Sequence, residues 1–361
     1  MTDRSAPAND ILIPITAPPP ADDGRELPCD VVVIGAGPVG LACAIEAQRH
    51  GLTVRVLDKG ALVNSILGYP LNMEFFSTPE LIEIGGHPFP VRHYKPTRED
   101  ALEYYRLVAA RDRLDVRLYD GVVDVEGTSG HFTVITEKTR HFARHIVVST
   151  GFFDRPNLLN VPGEDLAKVT HYYREPYPYA GQNVLIVGAK NSAAKAALDC
   201  YRHGARVTLV VRSATLSSSV KYWIRPDLEN RIKDGSITAL FETSVDAIHP
   251  KSVVVRNASG VQEIPNDWVL AMTGYHPDFG FLERLGIRLS TDSTRAPIFD
   301  ENTFETIRPG VYVAGTVCGG LQTNRWFIEN GRFHARQIVA DILGRRPTTN
   351  PFVGRHWKTE E

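Results

Sequence analysis

The sequence predicts an α/β protein with two Rossmann-like nucleotide-binding units, and three observations support this fold class. A run of branched apolar residues near the start of the chain is followed by closely spaced glycines and a helix-like segment. The same order of strand, turn and helix returns about 150 residues later, which is typical of a repeated supersecondary unit. The chain also has 361 residues, which is enough for two or three domains of about 100 to 200 residues each.

The first unit begins at residues 31–40, which read VVVIGAGPVG. Four branched apolar residues in succession are typical of a strand that is buried on both faces. Gly35 permits a tight turn, Gly37 lets a pyrophosphate approach the backbone, and Gly40 lets the next helix pack closely. That helix, residues 41–50, would direct its free N–H groups and its positive dipole end toward phosphates.

A second strand, residues 53–57, leads directly to an acid, Asp58. An acid about 20 residues beyond the glycine turn is typical of dinucleotide sites, where it accepts hydrogen bonds from ribose hydroxyls. Strand, glycines, helix and acid together predict a bound dinucleotide. The alternative is an α/β crossover without a ligand, because glycine turns between strand and helix also occur for structural reasons alone.

Composition argues against several kinds of partner. The formal net charge is −2 and the hydrophobic content is 43%, so the charge balance indicates neither nucleic acid nor an anionic membrane. No apolar run approaches the roughly 20 residues that span a bilayer. Residues 1–27 are rich in proline and alanine and lack the basic start and apolar run of a signal peptide, so we expect a disordered tail.

Cysteine usage indicates the compartment. The four cysteines, Cys29, Cys43, Cys200 and Cys318, form neither a C-x-x-C pair nor a metal-ligand spacing. We therefore expect a reducing cytoplasm and no metal site.

The rest of the first unit is predicted from local patterns. After Asp58 an irregular stretch rich in glycine, proline and aromatic residues extends to Pro96, and a loop of this length is usually functional. Residues 97–100, TRED, have the form of a capping box and predict a helix. Strands are predicted at 116–119, 131–136 and 146–148, and the last ends in Ser149, Thr150 and Gly151.

The second unit repeats the opening pattern. A buried-type strand at 183–187 is followed by a turn at 188–193, a helix at 194–203 and a strand at 207–211. Further buried strands at 268–274 and 310–315 and one long final helix at 324–343 complete the prediction. Two such units, with the C-terminal part completing one of them, favour paired α/β domains.

The order of these motifs resembles that of the two-dinucleotide-binding flavoproteins, the class of the thioredoxin reductases. The resemblance implies that the first glycine motif holds FAD and that an inserted domain with the second motif holds NADPH. It implies an FAD-binding domain at 28–160 and 285–345, an NADP-binding domain at 161–284, and tails at 1–27 and 346–361.

Within that class the sequence is similar to the bacillithiol disulfide reductase family of YpdA type. The matching segments are residues 95–98, 102–106, 169–173, 191–193, 221–227 and 327–332. This likeness implies a homodimer and a low-molecular-weight disulfide as electron acceptor.

Three positions depart from the family patterns. Val39 stands where the first motif of the family often carries cysteine, so a mechanism that uses a thiol there is excluded. Lys190 replaces the middle glycine of the second motif, and its side chain must turn away from a pyrophosphate or reach over it as a cation. Thr316 stands where many relatives carry aspartate, and its hydroxyl can still form a hydrogen bond to a ribityl chain.

The choice between NADPH and NADH depends on the end of the strand at 207–211. An acid there would favour NADH, but the chain has Arg212, which suits a 2′-phosphate. Lys221 could add a second positive charge. We therefore predict NADPH, and the alternative is that Arg212 is a solvated strand end.

The resemblance also directs attention to the redox centre. In thioredoxin reductases a C-x-x-C pair precedes the second glycine motif, and here that position holds residues 171–174, HYYR. Cys318 is the one candidate for a redox thiol near the flavin, although a free cysteine is more often a small buried hydrophobe. His171 is a candidate for moving protons, and a purely structural histidine is its alternative.

The remaining site residues are predicted from their places in these motifs. Trp326 and Phe327 would pack on the flavin edge, and the alternative is that both are core residues. The full set of predicted cofactor contacts is Gly35, Gly37, Pro38, Val39, Gly40, Asp58, Lys59, Val123, Thr150, Gly151, Gly188, Lys190, Asn191, Ser192, Ala193, Arg212, Lys221, Thr273, Gly274, Gly315, Thr316, Trp326 and Phe327.

These observations predict an FAD-dependent, NADPH-oxidising reductase that passes electrons to a disulfide or to a redox protein. Two alternatives stay open. A flavin-dependent monooxygenase shares the two glycine motifs, although of its linking signature F-x-G-x-x-x-H only the histidine is matched, by His171. A non-catalytic redox sensor that holds FAD or a nucleotide would be consistent with Lys190 and the missing dithiol.

Overall fold

The computed structural model describes residues 28–345, and both expected tails lie outside this range. The described chain forms two compact units. Unit 1 comprises the residues up to Asn64, Phe75–Gly151, and the residues from Phe279 onward, and unit 2 comprises Ser65–Glu74 and Phe152–Asp278. Unit 2 is therefore inserted into unit 1, with changeovers at Gly151 and Asp278 where the sequence analysis expects them at 160 and 284. The assignment of a cofactor to each domain stays a prediction.

The strands of residues 28–345 are β1 Cys29–Ile34, β2 Val54–Leu57, β3 Asp115–Arg117, β4 Val122–Thr128, β5 His131–Thr136, β6 Arg140–Val148, β7 Arg155–Pro156, β8 Val169–Thr170, β9 Asn183–Val187, β10 Arg206–Val210, β11 Thr238–Leu240, β12 Ser244–His249, β13 Ser252–Asn257, β14 Gly260–Pro265, β15 Trp268–Ala271, β16 Tyr275–His276 and β17 Val311–Val313.

The helices of the same range are α1 Pro38–Arg49, α2 Asn64–Leu67, α3 Pro79–Ile82, α4 Arg98–Arg111, α5 Asn191–Arg202, α6 Arg225–Lys233, α7 Phe279–Arg284, α8 Ile328–Gly331 and α9 His334–Ile342, with 3-10 helices at Tyr177–Tyr179 and Gly315–Gly319. None of the described helices is long and apolar enough to cross a membrane.

Unit 1 is organised around a sheet with the strand order β3-β2-β1-β6-β5-β4, in which β17 also pairs with β6. β3, β2, β1, β6 and β17 are parallel, whereas β4 and β5 run antiparallel at one side. β1 is the central strand, and Val31, Val32 and Val33 are at most 1% exposed. This burial confirms the strand predicted from four consecutive branched residues, and α1 packs between this strand and α9.

Unit 2 contains a five-stranded sheet with the order β11-β10-β9-β15-β8 and a separate antiparallel sheet, β12-β13-β14. Alternate residues of β9 enter different cores. Val184 and Ile186 belong to the cluster that includes the alanines of α5, whereas Leu185 and Val187 pack with apolar residues of β12 and β13. The parallel sheet is therefore covered on both faces, which explains the uninterrupted apolar run of its central strand.

The predicted capping box of α4 is confirmed. The Thr97 hydroxyl accepts a hydrogen bond from the Asp100 N–H at 3.1 Å, and the Asp100 carboxylate accepts one from the Thr97 N–H at 2.9 Å. These two bonds satisfy backbone donors that have no partner within the helix.

The prediction of one long helix over 324–343 is wrong. The chain forms α8 and α9 instead, and Phe333 and Arg336 donate to carbonyls three residues earlier, those of Asn330 and Phe333. Such i→i+3 bonds tighten and redirect the backbone. α8 also lies close to other backbone, because a Cβ on Gly331 would be 3.2 Å from the Cα of Gly315.

Candidate functional site

The carboxyl ends of four parallel strands meet at one edge of the unit 1 sheet. Gly35 follows β1, Asp58 follows β2, Ser149 follows β6, and Ala314 follows β17. β1 has β2 on one side and β6 on the other. The strand order therefore reverses at β1, and in open α/β sheets such a reversal creates a crevice in which ligands bind.

The three glycines of the first turn have different surroundings. Gly35 has a φ of +112°, and a Cβ there would lie 2.7 Å from the Ser149 carbonyl oxygen. A Cβ on Gly40 would lie 2.0 Å from the carbonyl oxygen of Gly35, so α1 can pack at this distance only with glycine. A Cβ on Gly37 would meet nothing within 4 Å. Gly35 and Gly40 thus have structural roles, while the space in front of Gly37 is open.

Two side chains hold this turn in place. The Asp58 carboxylate accepts hydrogen bonds from the Ala36 N–H at 2.7 Å and from the Gly60 N–H at 2.8 Å. The Ser149 hydroxyl donates to the Gly35 carbonyl at 2.9 Å. Asp58, predicted to contact ribose, therefore also positions the glycine turn. Ser149 is missing from the predicted site because its role depends on a contact with a residue 114 positions away.

The second half of the unit 1 site comes from the loop after β17. A Cβ on Gly151 would lie 3.5 Å from the Thr316 hydroxyl oxygen, so these two predicted residues are neighbours. A Cβ on Gly315 would lie 3.1 Å from the Cβ of Val39. Val39 itself is 7% exposed and so belongs to the packing between α1 and this loop.

A buried histidine at the start of α9 supports this loop. The Gly315 N–H donates to Nδ1 of His334 at 3.1 Å, and His334 is fully buried. Its ring stacks on Phe304 with 3.8 Å between centroids and meets Trp326 edge-on at 4.5 Å. Burial lowers the pKa of His334 to about 3. Trp326 therefore packs in an aromatic cluster, whereas Phe327 is 48% exposed.

Cys318 lies in the 3-10 helix at Gly315–Gly319 and is 0% exposed. Burial raises the pKa of its thiol well above the ordinary value, and the nearby Cys43 raises it further. Because the thiolate is the reactive form of cysteine, this environment offers no activated nucleophile. The geometry therefore favours the packing alternative for Cys318. All four cysteines are buried.

The second glycine turn lies at the corresponding edge of the unit 2 sheet. Gly188 has a φ of +145°, and a Cβ there would lie 2.6 Å from the Met272 carbonyl oxygen. Lys190 has ordinary extended backbone angles, φ −108° and ψ −173°, and precedes the first residue of α5. Its side chain is exposed. This position therefore accommodates lysine without backbone strain.

A serine-rich loop is fixed against this turn. Asn191, the first residue of α5, accepts a hydrogen bond from the Lys221 N–H at 3.0 Å and donates to the Ser219 carbonyl at 2.9 Å. The Ser217 N–H donates to the Ala189 carbonyl at 3.0 Å. The loop thus places Lys221 beside the start of α5, and Arg212, two residues beyond β10, is exposed.

Two further predicted residues follow β15. The Thr273 hydroxyl donates to the Asn157 carbonyl at 2.5 Å, and the Asn157 N–H donates to the Gly274 carbonyl at 2.9 Å. Gly274 has a φ of +90°. These bonds tie the turn after β15 to the segment that contains β7.

His171 lies beside a carboxylate in unit 2. Its Nε2 lies 3.3 Å from the Glu164 carboxylate, which also accepts hydrogen bonds from the N–H groups of Leu159 and Asn160. The Tyr275 hydroxyl donates to the His171 carbonyl at 2.7 Å. These contacts favour the structural alternative for His171.

The other predicted contacts have simple positions. Pro38 opens α1, Ser192 and Ala193 lie in its counterpart α5, and Val123 lies in β4 with 41% of its surface exposed. The Cβ of Lys59 is 3.1 Å from where a Cβ on Gly121 would be. Thr150 directly precedes Gly151 after β6.

Comparison with known proteins agrees with this arrangement. The family model of the pyridine nucleotide-disulphide oxidoreductases matches residues 32–315. Bacilliredoxin reductase Bdr of Bacillus subtilis (strain 168) is 42% identical to the chain over 318 residues, which are 87% of the chain and 97% of that protein.

Two solved structures are similar over nearly their whole length. Bacillithiol disulfide reductase Bdr (YpdA) of Staphylococcus aureus aligns with a TM-score of 0.86 and 38% identity, covering 89% of this chain and 99% of that one. The protein of the same name from Bacillus cereus gives a TM-score of 0.86 and 39% identity, covering 88% of this chain and 99% of that one.

The family model spans both glycine turns, and the family implies a flavin and a nicotinamide nucleotide as cofactors. The likeness to the two Bdr structures extends over both units of the described chain. The chain therefore belongs to the pyridine nucleotide-disulphide oxidoreductase family.

Proposed function

We propose that this protein is an FAD-dependent NADPH oxidoreductase that delivers electrons to a low-molecular-weight disulfide of the bacillithiol disulfide type, or to a redox protein. One observation carries the proposal: each unit has a glycine turn at the reversal point of its parallel sheet, followed directly by a helix start. The names of the Bacillus and Staphylococcus relatives support the choice of acceptor.

The first turn fits FAD. The open space at Gly37 would admit a pyrophosphate, and the start of α1 would complement its charge. Asp58 would accept a ribose hydroxyl, because an ionised carboxylate has about four acceptor positions. Thr316 and Gly151, which are neighbours, would lie along the ribityl chain.

The second turn fits NADPH. No acid follows β10, and the exposed cations Lys190 and Arg212, together with Lys221 on the tethered loop, supply positive charge around the start of α5. A 2′-phosphate and a pyrophosphate both favour such a site. When bound, NADPH and FAD supply the hydride and electron transfer, and the protein supplies binding, orientation and electrostatics.

The acceptor has to be bound without the help of a protein dithiol. The four cysteines of the chain are separate and buried, and residues 171–174 contain none. A thiol–disulfide exchange relay needs an accessible thiolate. We therefore propose that the disulfide is held by non-thiol groups of the protein.

The cellular setting follows the same reasoning. The four cysteines are scattered without a C-x-x-C pair, which fits a reducing cytoplasm where disulfides are rare, and we propose that compartment. The homodimer is proposed on the likeness to the family alone.

An acceptor screen tests the proposed function. The purified flavin-loaded protein is mixed with NADPH and, separately, with bacillithiol disulfide, cystine, a quinone, ferredoxin or air. We expect the greatest NADPH oxidation with bacillithiol disulfide. Oxygen consumption linked to a substrate would instead indicate a monooxygenase. If NADPH is oxidised with none of these acceptors, the non-catalytic redox sensor is the alternative that remains.

A further inference from the structure

A chain of three buried polar side chains crosses unit 1. Arg55 on β2 is 8% exposed, His141 on β6 is 1% exposed, and Asp120, just before β4, is 6% exposed. Nη1 of Arg55 lies 3.2 Å from Nδ1 of His141, and Nε2 of His141 lies 3.4 Å from Oδ2 of Asp120. Nε of Arg55 also donates to the Asp115 carboxylate at 2.8 Å.

The contacts define which atoms of these three side chains carry the hydrogens. An arginine side chain can only donate, so Nδ1 of His141 must accept from Arg55. Nε2 then carries a ring proton that is directed at Asp120. The three groups thus form a relay with one orientation, from the guanidinium through the imidazole to the carboxylate.

The relay ends beside the residues predicted for the adenosine half of FAD. The Asp120 N–H donates to the Asp58 carbonyl at 2.8 Å, and the Tyr119 N–H donates to the Gly60 carbonyl at 3.1 Å. Val123 follows three residues after Asp120. Residues 119 and 120 are therefore bonded through their backbone to the residues that follow β2, and the carboxylate of Asp120 joins this segment to His141.

The composition of the relay is not explained by stability. Burying charges costs several kcal/mol per ion, and apolar residues of similar volume often stabilise a core as well or better. Oδ1 of Asp120 is buried and has no hydrogen-bond partner in the described structure. A role other than stability would be the placement of the segment that carries Asp120, which lies against Asp58.

We propose that Arg55, His141 and Asp120 are positioning residues that set residues 119–123 for the adenosine half of FAD. The inference rests on the proposed function, in which the first turn holds FAD. It assigns a binding role to residues that lie outside both glycine motifs.

The test measures FAD affinity separately from folding. Apoprotein is prepared from the wild type, His141→Leu and His141→Gln, and the FAD dissociation constant and the urea unfolding transition are measured for each. Leucine removes both contacts, and we expect FAD to bind at least about tenfold more weakly, which corresponds to about 1.4 kcal/mol. The amide of glutamine can accept from Arg55 and donate to Asp120, so His141→Gln should recover most of the affinity.

A matched control comes from unit 2. Asn266 is 2% exposed, accepts from Lys168 Nζ at 2.8 Å, and donates to the Trp268 carbonyl at 2.6 Å. Asn266→Leu should lower stability and leave the FAD affinity within about twofold, because a factor of two is only about 0.4 kcal/mol. If His141→Leu does not fold, Asp120→Asn takes its place, since it removes the charge and keeps the volume.

The outcomes separate the two proposals. Equal losses of FAD affinity in His141→Leu and Asn266→Leu, or no rescue by glutamine, would overturn the positioning role while the wild type still binds FAD. A wild type that takes up no FAD would overturn the proposed function and this inference with it.

Discussion

Gly37 and Gly40 are three residues apart, yet their missing side chains serve different purposes. A Cβ on Gly40 would collide with the Gly35 carbonyl oxygen at 2.0 Å, whereas a Cβ on Gly37 would meet nothing. In the first glycine motif, Gly40 is therefore required by the packing of the fold, and Gly37 by the proposed ligand. Substitutions at the two positions can separate these roles.

Gly37→Ala should leave the unfolding transition of the apoprotein unchanged and weaken FAD binding by about tenfold or more, since the added methyl group occupies space needed by a pyrophosphate. Gly40→Ala should destabilise the apoprotein itself by about 1 to 3 kcal/mol through overpacking. FAD titration and urea unfolding of both variants measure the contrast. Unaltered FAD affinity in Gly37→Ala would contradict the assignment of the open space to the cofactor.

His334 links pH to stability. Its pKa is lowered by burial to about 3, whereas in the unfolded chain it is expected near about 6.5. Between these values the unfolded state binds a proton that the folded state does not bind. The free energy of unfolding therefore falls as the pH decreases from about 6.5 toward the folded pKa, by up to about 1.4 kcal/mol per pH unit.

His334→Asn should weaken this pH dependence, because asparagine can accept from the Gly315 N–H but does not titrate. Urea unfolding at pH 7 and pH 5 is measured for both proteins. The loss of stability between the two pH values should be smaller in the variant by roughly 2 kcal/mol. A variant with the same loss as the wild type would show that His334 is not the group responsible.

At the level of elements, the loop between β10 and α6 is joined to the second glycine turn by backbone and side-chain bonds. Asn191 is hydrogen-bonded to Lys221 and Ser219 of this loop, and Ala189 is hydrogen-bonded to Ser217. The loop, the turn and the helix start therefore form one structure in which Lys190 and the backbone of Lys221 lie at the start of α5. A nucleotide with an additional phosphate should be preferred there.

Arg212→Ala should raise the KM for NADPH by roughly tenfold, the value of one charge-assisted contact, and should change the KM for NADH much less. Lys233→Ala is the matched control, because Lys233 is an exposed cation at the end of α6. Steady-state NADPH and NADH oxidation is measured for all three proteins. Equal effects on both nucleotides would argue against a 2′-phosphate contact at Arg212.

Elements with a strong local signal were predictable from the sequence. The run before Gly35 and the capping box at Thr97 depend on neighbouring residues alone. β4 and β14 were not predicted, because both are mostly exposed and are held by pairing rather than by burial. The break between α8 and α9 depends on the approach of Gly331 to Gly315, which local periodicity does not reveal.

The same limit applies to the site. Glycine spacing located both turns, but Ser149, His334 and the Arg55 relay act through contacts distant in sequence, and only the folded structure brings these groups together. The candidate thiol Cys318 was chosen from its position in the chain. Its burial follows from the packing of the loop after β17 and removes the basis for a reactive thiolate.

For the whole molecule, the two units follow one plan. Each has a set of parallel strands whose order reverses at the strand before a glycine turn, and unit 2 is inserted into the chain of unit 1. Every cysteine is buried, and the sequence has no C-x-x-C pair. The account therefore requires two nucleotide cofactors and no protein disulfide for the transfer of electrons.

Anaerobic mixing of the flavin-loaded protein with NADPH tests this requirement most directly. We predict that the visible absorption of oxidised flavin disappears after mixing with NADPH. Prior alkylation of accessible thiols should not change this loss of absorption. Dithionite serves as the control that the bound flavin can be reduced. A flavin that dithionite reduces but saturating NADPH leaves oxidised would contradict the account.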